Sequence, residues 1–307
     1  MRARSLLCLI GTVGLAAGAM SLNPSSAAAA GRQTCSGTFT SPGVLAGTYS
    51  ASVIVEGFCV VNAGPATVNG DLIVGPGAAL VAAFALNDQT GTGSSSLTVM
   101  GNLKVQTGGV LLMGCEPFFF TCLDDPDQNN PTLSSADSVG GNLTEAQPLG
   151  VVVHDSSIGR NVIETGGGGG VTCQPSGLFA AFGSPVYSDY EDSTVAGNVV
   201  VTGLNSCWLG LARDHINGNM IVNDNQLADP DAIEILSNQV SGNLNCHNNR
   251  EPDGAFHDNV WDSFDTFGQA APYPRTAAPN TVNGQRTGQC VLASPTSQGG
   301  PLGPGAF

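Results

Sequence analysis

Five carboxylates near the middle of the chain, Asp155, Glu164, Asp189, Glu191 and Asp192, are the side chains whose type and clustering could do chemistry. Hydrolysis of a glycosidic bond needs two carboxyl groups about 5–10 Å apart on one face, one giving a proton and one acting as base or nucleophile. Asp229 and Asp231 form a further pair. The elimination version of sugar cleavage needs calcium and a base, and positive charge is sparse there, with Arg160, Arg213 and Arg250 in the middle and later coils. Linear spacing does not bring any two of these acids together. The plainer expectation is that they are surface acids of an acidic solenoid. His154-Asp155 and Asp214-His215 are neighbours in sequence, so their side chains diverge on a strand. They are expected as solvated polar residues, with Ser/His/Asp groupings left to three-dimensional geometry.

Other chemical motifs are missing. The single lysine, Lys104, does not follow glycine, so no phosphate-binding loop of the P-loop type is present. His154, His215, His247 and His257 form no H-E-x-x-H zinc motif. No G-x-S-x-G elbow occurs. Asp125, Asp127 and Asn129 match the first three ligand positions of a calcium loop, but Asn130 replaces its glycine and Ala136 its closing glutamate. Calcium there is the one cofactor expectation, with an acidic turn as its competitor. Asn142-Leu-Thr144 is a glycosylation sequon.

The chain must then be built to hold these groups. Of 307 residues, 42 are glycine and 11% are charged. Glycine at this level disfavours a helical bundle. Arg2 and Arg4, the apolar run from Leu6 to Ala19 and the small residues Ala27 to Ala30 follow the three-part plan of a secretory signal, expected to occupy residues 1–30. Without it, seven basic and 24 acidic residues give a formal charge of −17. That excludes a nucleic-acid reader and disfavours anionic membranes. No later stretch is long and apolar enough to span a bilayer. Eight cysteines remain after the signal, an even number suited to bridges outside the cell. Eight allow 105 pairings. Proximity along the chain favours Cys35–Cys59, Cys115–Cys122, Cys173–Cys207 and Cys246–Cys290. No C-x-x-C zinc pair is present.

A short phrase recurs: an aliphatic residue, any residue, Gly-Asn or Gly-Asp, an aliphatic residue, then often another two positions on. It reads Val68-Asn-Gly-Asp-Leu-Ile-Val74, Val99-Met-Gly-Asn-Leu-Lys-Val105 and Val139-Gly-Gly-Asn-Leu143. Ile158-Gly-Arg-Asn-Val162 has its glycine displaced. Val195-Ala-Gly-Asn-Val-Val-Val201, Ile216-Asn-Gly-Asn-Met-Ile-Val222, Val240-Ser-Gly-Asn-Leu-Asn-Cys246 and the degenerate Val282-Asn-Gly-Gln285 follow. Period-two alternation interrupted by Gly-Asn predicts short strands joined at a repeated corner, with the pair in left-handed backbone. Copies 21 or 24 residues apart fit one coil, and gaps of 40 and 42 fit two. The expected fold is all-β, a right-handed parallel β-helix over residues 31–292, against a β-sandwich as the alternative. Gly70, Gly101, Gly141, Gly197, Gly218 and Gly242 should stack on one corner, their asparagines forming a ladder. Leu72, Leu103, Leu143, Val199, Met220 and Leu244 should face inward. Segments 114–135, 166–192 and 250–280 are expected as loops and 293–307 as a flexible tail.

The serial phrases, Gly242-Asn-Leu-Asn-Cys246 and the closing Val282-Asn-Gly-Gln-Arg-Thr-Gly-Gln-Cys290 resemble a group of uncharacterised exported β-helix-like repeat proteins of high-GC Gram-positive bacteria. The resemblance spans most of the chain beyond the signal. It implies export and a β-helix-like fold, and implies no activity. The expectation is a secreted, non-catalytic structural, adhesive or binding protein whose partner is an envelope or extracellular glycan or protein. The alternative is a polysaccharide-active hydrolase or lyase on a pectinase-like β-helix.

Overall fold

In each repeat phrase the aliphatic residues alternate with polar ones, so a strand can bury one side and wet the other. A single such strand buries too little to stand alone, and stacking successive coils gives every backbone group a partner above and below. The computed structural model describes residues 31–84, 87, 89–115, 137–229, 232–252 and 279–291. It is a parallel β-helix with three faces. Face one holds the strands that open on the repeat's aliphatic residue, from Leu72–Val74 and Leu103–Val105 through Leu143–Ala146, Val162–Thr165, Val199–Thr202, Met220–Asn223 and Leu244–His247 to Arg286–Gly288. Face two holds Ala79–Ala82, Val110–Met113, Gly150–His154, Tyr187–Glu191, Trp208–Ala212 and Ile233–Leu236. Face three, among the described residues, is nine short strands from Gly47–Tyr49 to Thr281–Val282. The long strand Val53–Val60 runs across faces one and two and joins them.

Every named strand pairing is parallel and in register, which excludes the sandwich. Leu72, Leu103, Leu143, Val199, Met220 and Leu244 stack in one row, none more than 1% exposed. Full burial of such a side chain stabilises by about 1.5–3 kcal/mol. Outside that row, the asparagines form the ladder. Asn102, Asn142, Asn161, Asn198 and Asn219 each donate a backbone N–H and the side-chain Nδ2 to the side-chain oxygen one coil earlier, beginning at Asp71. The first rung only accepts, which an aspartate does, and Lys104 Nζ balances its charge at 2.7 Å. Those contacts hold the Asp71 carboxyl below its ordinary range, the Lys104 hydrogen bond foremost.

The corner works differently from the expected left-handed turn. None of Gly70, Gly101, Gly141, Gly197, Gly218 or Gly242 has positive φ, nor do the ladder asparagines. Glycine is needed there for space. A Cβ on Gly218 would lie 2.5 Å from the Gly197 carbonyl oxygen and 2.6 Å from Asn198 Oδ1. The left-handed positions fall at the other two corners: Gln147, Asp224 and Asn248 after face one, and Asp155, Asp192, Arg213 and Ser237 after face two.

The 40- and 42-residue gaps are each one coil, not two. Leu103 pairs directly with Leu143, and Leu244 with Arg286. Inserted chain lengthens a coil without adding one, and spacing alone does not separate the two cases. The expected loop 166–192 is also corrected. Gly177–Phe182 is a short helix and Tyr187–Glu191 a face-two strand that buries Tyr190.

Three of the expected bridges are present, Cys35–Cys59, Cys173–Cys207 and Cys246–Cys290, with Cα separations of 6.4, 4.5 and 5.2 Å. Cys115 is also disulfide-bonded; Cys122 lies outside the described residues, as do residues 1–30, the tail, Asp125, Asp127, Asn129 and Asp231. Among the described residues no helix is long and apolar enough to cross a membrane.

Candidate functional site

Strand alternation on face two sends Val151, Val153, Ser188 and Tyr190 toward the core, and Val152, His154, Asp189 and Glu191 to the outer side. Register aligns the outer residues in rows: Val152, Asp189, Gly210 and Glu234 in one, His154, Glu191, Ala212 and Leu236 in the next. Gly210 makes room for this arrangement. A Cβ there would lie 2.2 Å from Asp189 Oδ1 and 2.3 Å from the Trp208 ring.

His154 Nε2 is 3.0 Å from Asp189 Oδ2. Arg213 grips Asp192 with Nε at 2.9 Å and Nη2 at 3.0 Å, and Nη2 reaches Glu191 Oε2 at 2.5 Å. Asp192, at φ 52°, and Arg213, at φ 59°, occupy left-handed positions at the corner that follows face two. All are buried: Asp189 and Glu191 are 0% exposed, Asp155 4% and Arg213 8%. Burial raises the Glu191 carboxyl well above its ordinary range, helped by Asp189, while Arg213 and His154 oppose the shift. Burial opposes the charge on Arg213, but Asp192 and Glu191 outweigh it and raise its pKa.

Sequence expectation and geometry meet only in part. Asp155, Asp189, Glu191 and Asp192 belong to the end of face two and the corner that follows it. Glu164 does not join them: it faces into the core from face one. These acids are not surface groups, and His154, Asp155 and Asp214 are buried rather than solvated. Asp214 accepts the Ser193 N–H at 2.9 Å in a corner stack that continues to Asn238 and Asn280. Asp229 is buried apart from them, beside the Cys173–Cys207 bridge. Those bridged sulfurs are no longer free thiolates to bind metal. One ligand atom each of His154, Asp189 and Glu191 lie within 4.8 Å of one another. A nitrogen and two carboxylates could hold a divalent transition metal; here Arg213 brings positive charge to Glu191.

A second polar group lies inside the solenoid, joining Glu164 to Glu145, which the sequence did not single out. Glu145 and Glu164 stack in register on face one, both 0% exposed. Tyr190 Oη, from face two, is 2.6 Å from Glu145 Oε2 and 2.9 Å from Glu164 Oε2. Ser188 Oγ donates to Glu164 Oε1 at 2.7 Å. Burial pushes the Glu164 carboxyl up to about 7 and the Glu145 carboxyl well above its usual range, with Glu164 adding repulsion. The signal was present in the phrase: the second aliphatic position, Val105 or Val201 in other copies, is glutamate in these two.

An open groove of about 580 Å³ lies at the corner between faces one and two, lined by Thr107, Gln147, Pro148, Leu149, Val171 and Asn205 among others. Comparison with known proteins returns no matching family model, no matching curated protein and no matching solved structure.

Proposed function

We propose that the protein is an exported, non-catalytic β-helix serving as a structural, adhesive or binding module outside the cell. One observation carries the reading: the candidate catalytic acids among the described residues are buried. Asp189 and Glu191 have no exposed surface, and Glu191 and Asp192 are both engaged by Arg213. A polymeric sugar must touch its acid and base directly. Bridged cysteines fit an oxidising compartment, and the residues resembling exported repeat proteins agree with that location. Incubating the purified protein with a panel of cell-wall and plant glycans, read for both binding and released reducing or unsaturated ends, tests the proposal. Binding without product release is expected. Turnover that vanishes in Asp189→Asn, with the fold intact by circular dichroism, overturns it.

The second reading, a hydrolase or lyase, draws on the His154, Asp189 and Glu191 grouping on the outer side of face two. It requires these groups to become open to solvent, and the same assay decides it.

A further inference from the structure

We infer that Glu145 and Glu164 never ionise together in the folded protein at neutral pH: Glu145 stays a carboxylic acid, and its proton locks successive coils of the solenoid together. The inference is independent of the proposed function.

Two carboxylates present four oxygens to the interior. Ser188 Oγ supplies one proton, to Glu164 Oε1. Tyr190 Oη faces an oxygen of each glutamate at hydrogen-bond distance but has one proton to give. With both glutamates ionised, two negative charges would share that single hydroxyl, and Glu145 Oε1 has no hydrogen-bond partner among the described residues. Protonating Glu145 resolves the count. Its O–H donates to Tyr190 Oη, Tyr190 donates to Glu164, and Ser188 donates to Glu164. One charge then receives two donors, and every hydroxyl proton is used.

Among the described residues, the neighbours of the pair carry no charge that balances a second carboxylate. On face one its register neighbours are Val105 below and Val201 above. On face two Tyr190 lies between Val153 and Leu211, and Ser188 between Val151 and Leu209. The inward residues of face three in these coils are Val139, Ile158 and Val195. Among the described residues, the charge acting on Glu145 is that of Glu164. Like carboxylates in one dry site split their titrations, so the pair releases its protons in two steps.

The chain that results runs from face one of one coil, through face two, to face one of the next. It couples Leu143–Ala146 to Val162–Thr165 and Tyr187–Glu191, and its link from Glu145 to Tyr190 exists, with Tyr190 free to donate to Glu164, only while the proton is held. Unfolded glutamates titrate near 4.5 and the folded pair higher. The folded state therefore binds more protons above that point, and stability falls as pH rises. This stability is complete below the unfolded value and is lost through and beyond about 7, where Glu164 ionises.

Melting temperature of the exported, disulfide-intact protein between about pH 5 and about pH 9 reads the effect. Glu145→Gln keeps a donor toward Tyr190 but carries no titrating proton. It should match the wild type at the acidic end and make the fall toward the alkaline end shallower, the remainder coming from Glu164 and from the other buried acids with raised pKa, Glu191 and Asp214. In D2O at neutral pH, the infrared carbonyl band of a protonated carboxyl should be present in the wild type and weaker in this variant. Glu164→Gln probes the same proton from the other partner and should also flatten the profile, which covers the case where Glu145→Gln does not fold. Parallel profiles in wild type and the folding variants, or an infrared band that Glu145→Gln leaves unchanged, overturn the inference.

Discussion

At the scale of residues, the protein depends on side chains that are absent as much as on those present. Glycine in the repeat corner keeps the path of the asparagine ladder clear, since an added Cβ meets backbone oxygen at about the same distance in coil after coil. Gly218→Ala should cost about 1–3 kcal/mol, the range for overpacking, seen as a lower denaturant midpoint with unchanged slope. Arg213 is the opposite case, a charge that two acids require. Removing one partner of a buried ion pair leaves the other charge uncompensated, at about 3–5 kcal/mol. Arg213→Gln should show that loss in chemical denaturation. Arg213→Lys should recover part of it, because an ammonium cannot reproduce the fork that grips Asp192.

The ladder belongs to the scale of elements, because each rung satisfies backbone and side-chain donors of the next coil. Asn198 sits in its middle, giving two hydrogen bonds to Asn161 and receiving two from Asn219. Asn198→Ala should destabilise by about 1–3 kcal/mol, the cost of stranded polar groups. Asp71→Asn should be milder, since that rung is at the end and its Lys104 pair is partly exposed. The sequon asparagine, Asn142, is itself a rung: its Nδ2 is 3.3 Å from Asn102 Oδ1 and its Oδ1 accepts from Asn161. A glycan on that nitrogen would break the stack. Secretion from a glycosylating host should yield unmodified Asn142 by mass spectrometry of tryptic peptides.

For the molecule as a whole, stability is distributed coil by coil, and the ends are its weak points. The Cys246–Cys290 bridge closes 44 residues across the last coil. A loop of that size corresponds to roughly 4 kcal/mol of unfolded-state constraint. Replacing both cysteines with serine should speed hydrogen exchange first in Leu244–His247 and Arg286–Gly288. The middle coils, joined through Asn161, Asn198 and Asn219, should exchange last. Uniform acceleration over every coil would argue that the solenoid unfolds as one unit instead.

The solenoid, its inward aliphatic row, its asparagine ladder and three of its bridges were legible in the sequence because they repeat. A stacked coil imposes the same burial and the same neighbour on each copy of the phrase, so the physics is written once per turn. Legibility stopped where the copies differ. Coil count was overestimated at the 40- and 42-residue gaps because an insertion and an extra turn have the same length. The reason for glycine was a packing distance between coils, invisible to local backbone preference. Asp189, Glu191 and His154 were brought together by strand register, and Glu164 was carried to the other side of the wall by period-two alternation. Which acid meets which base was decided by the stacking of strands far apart in sequence, because only stacking sets the distances between side chains, and those distances fix where charge and protons reside.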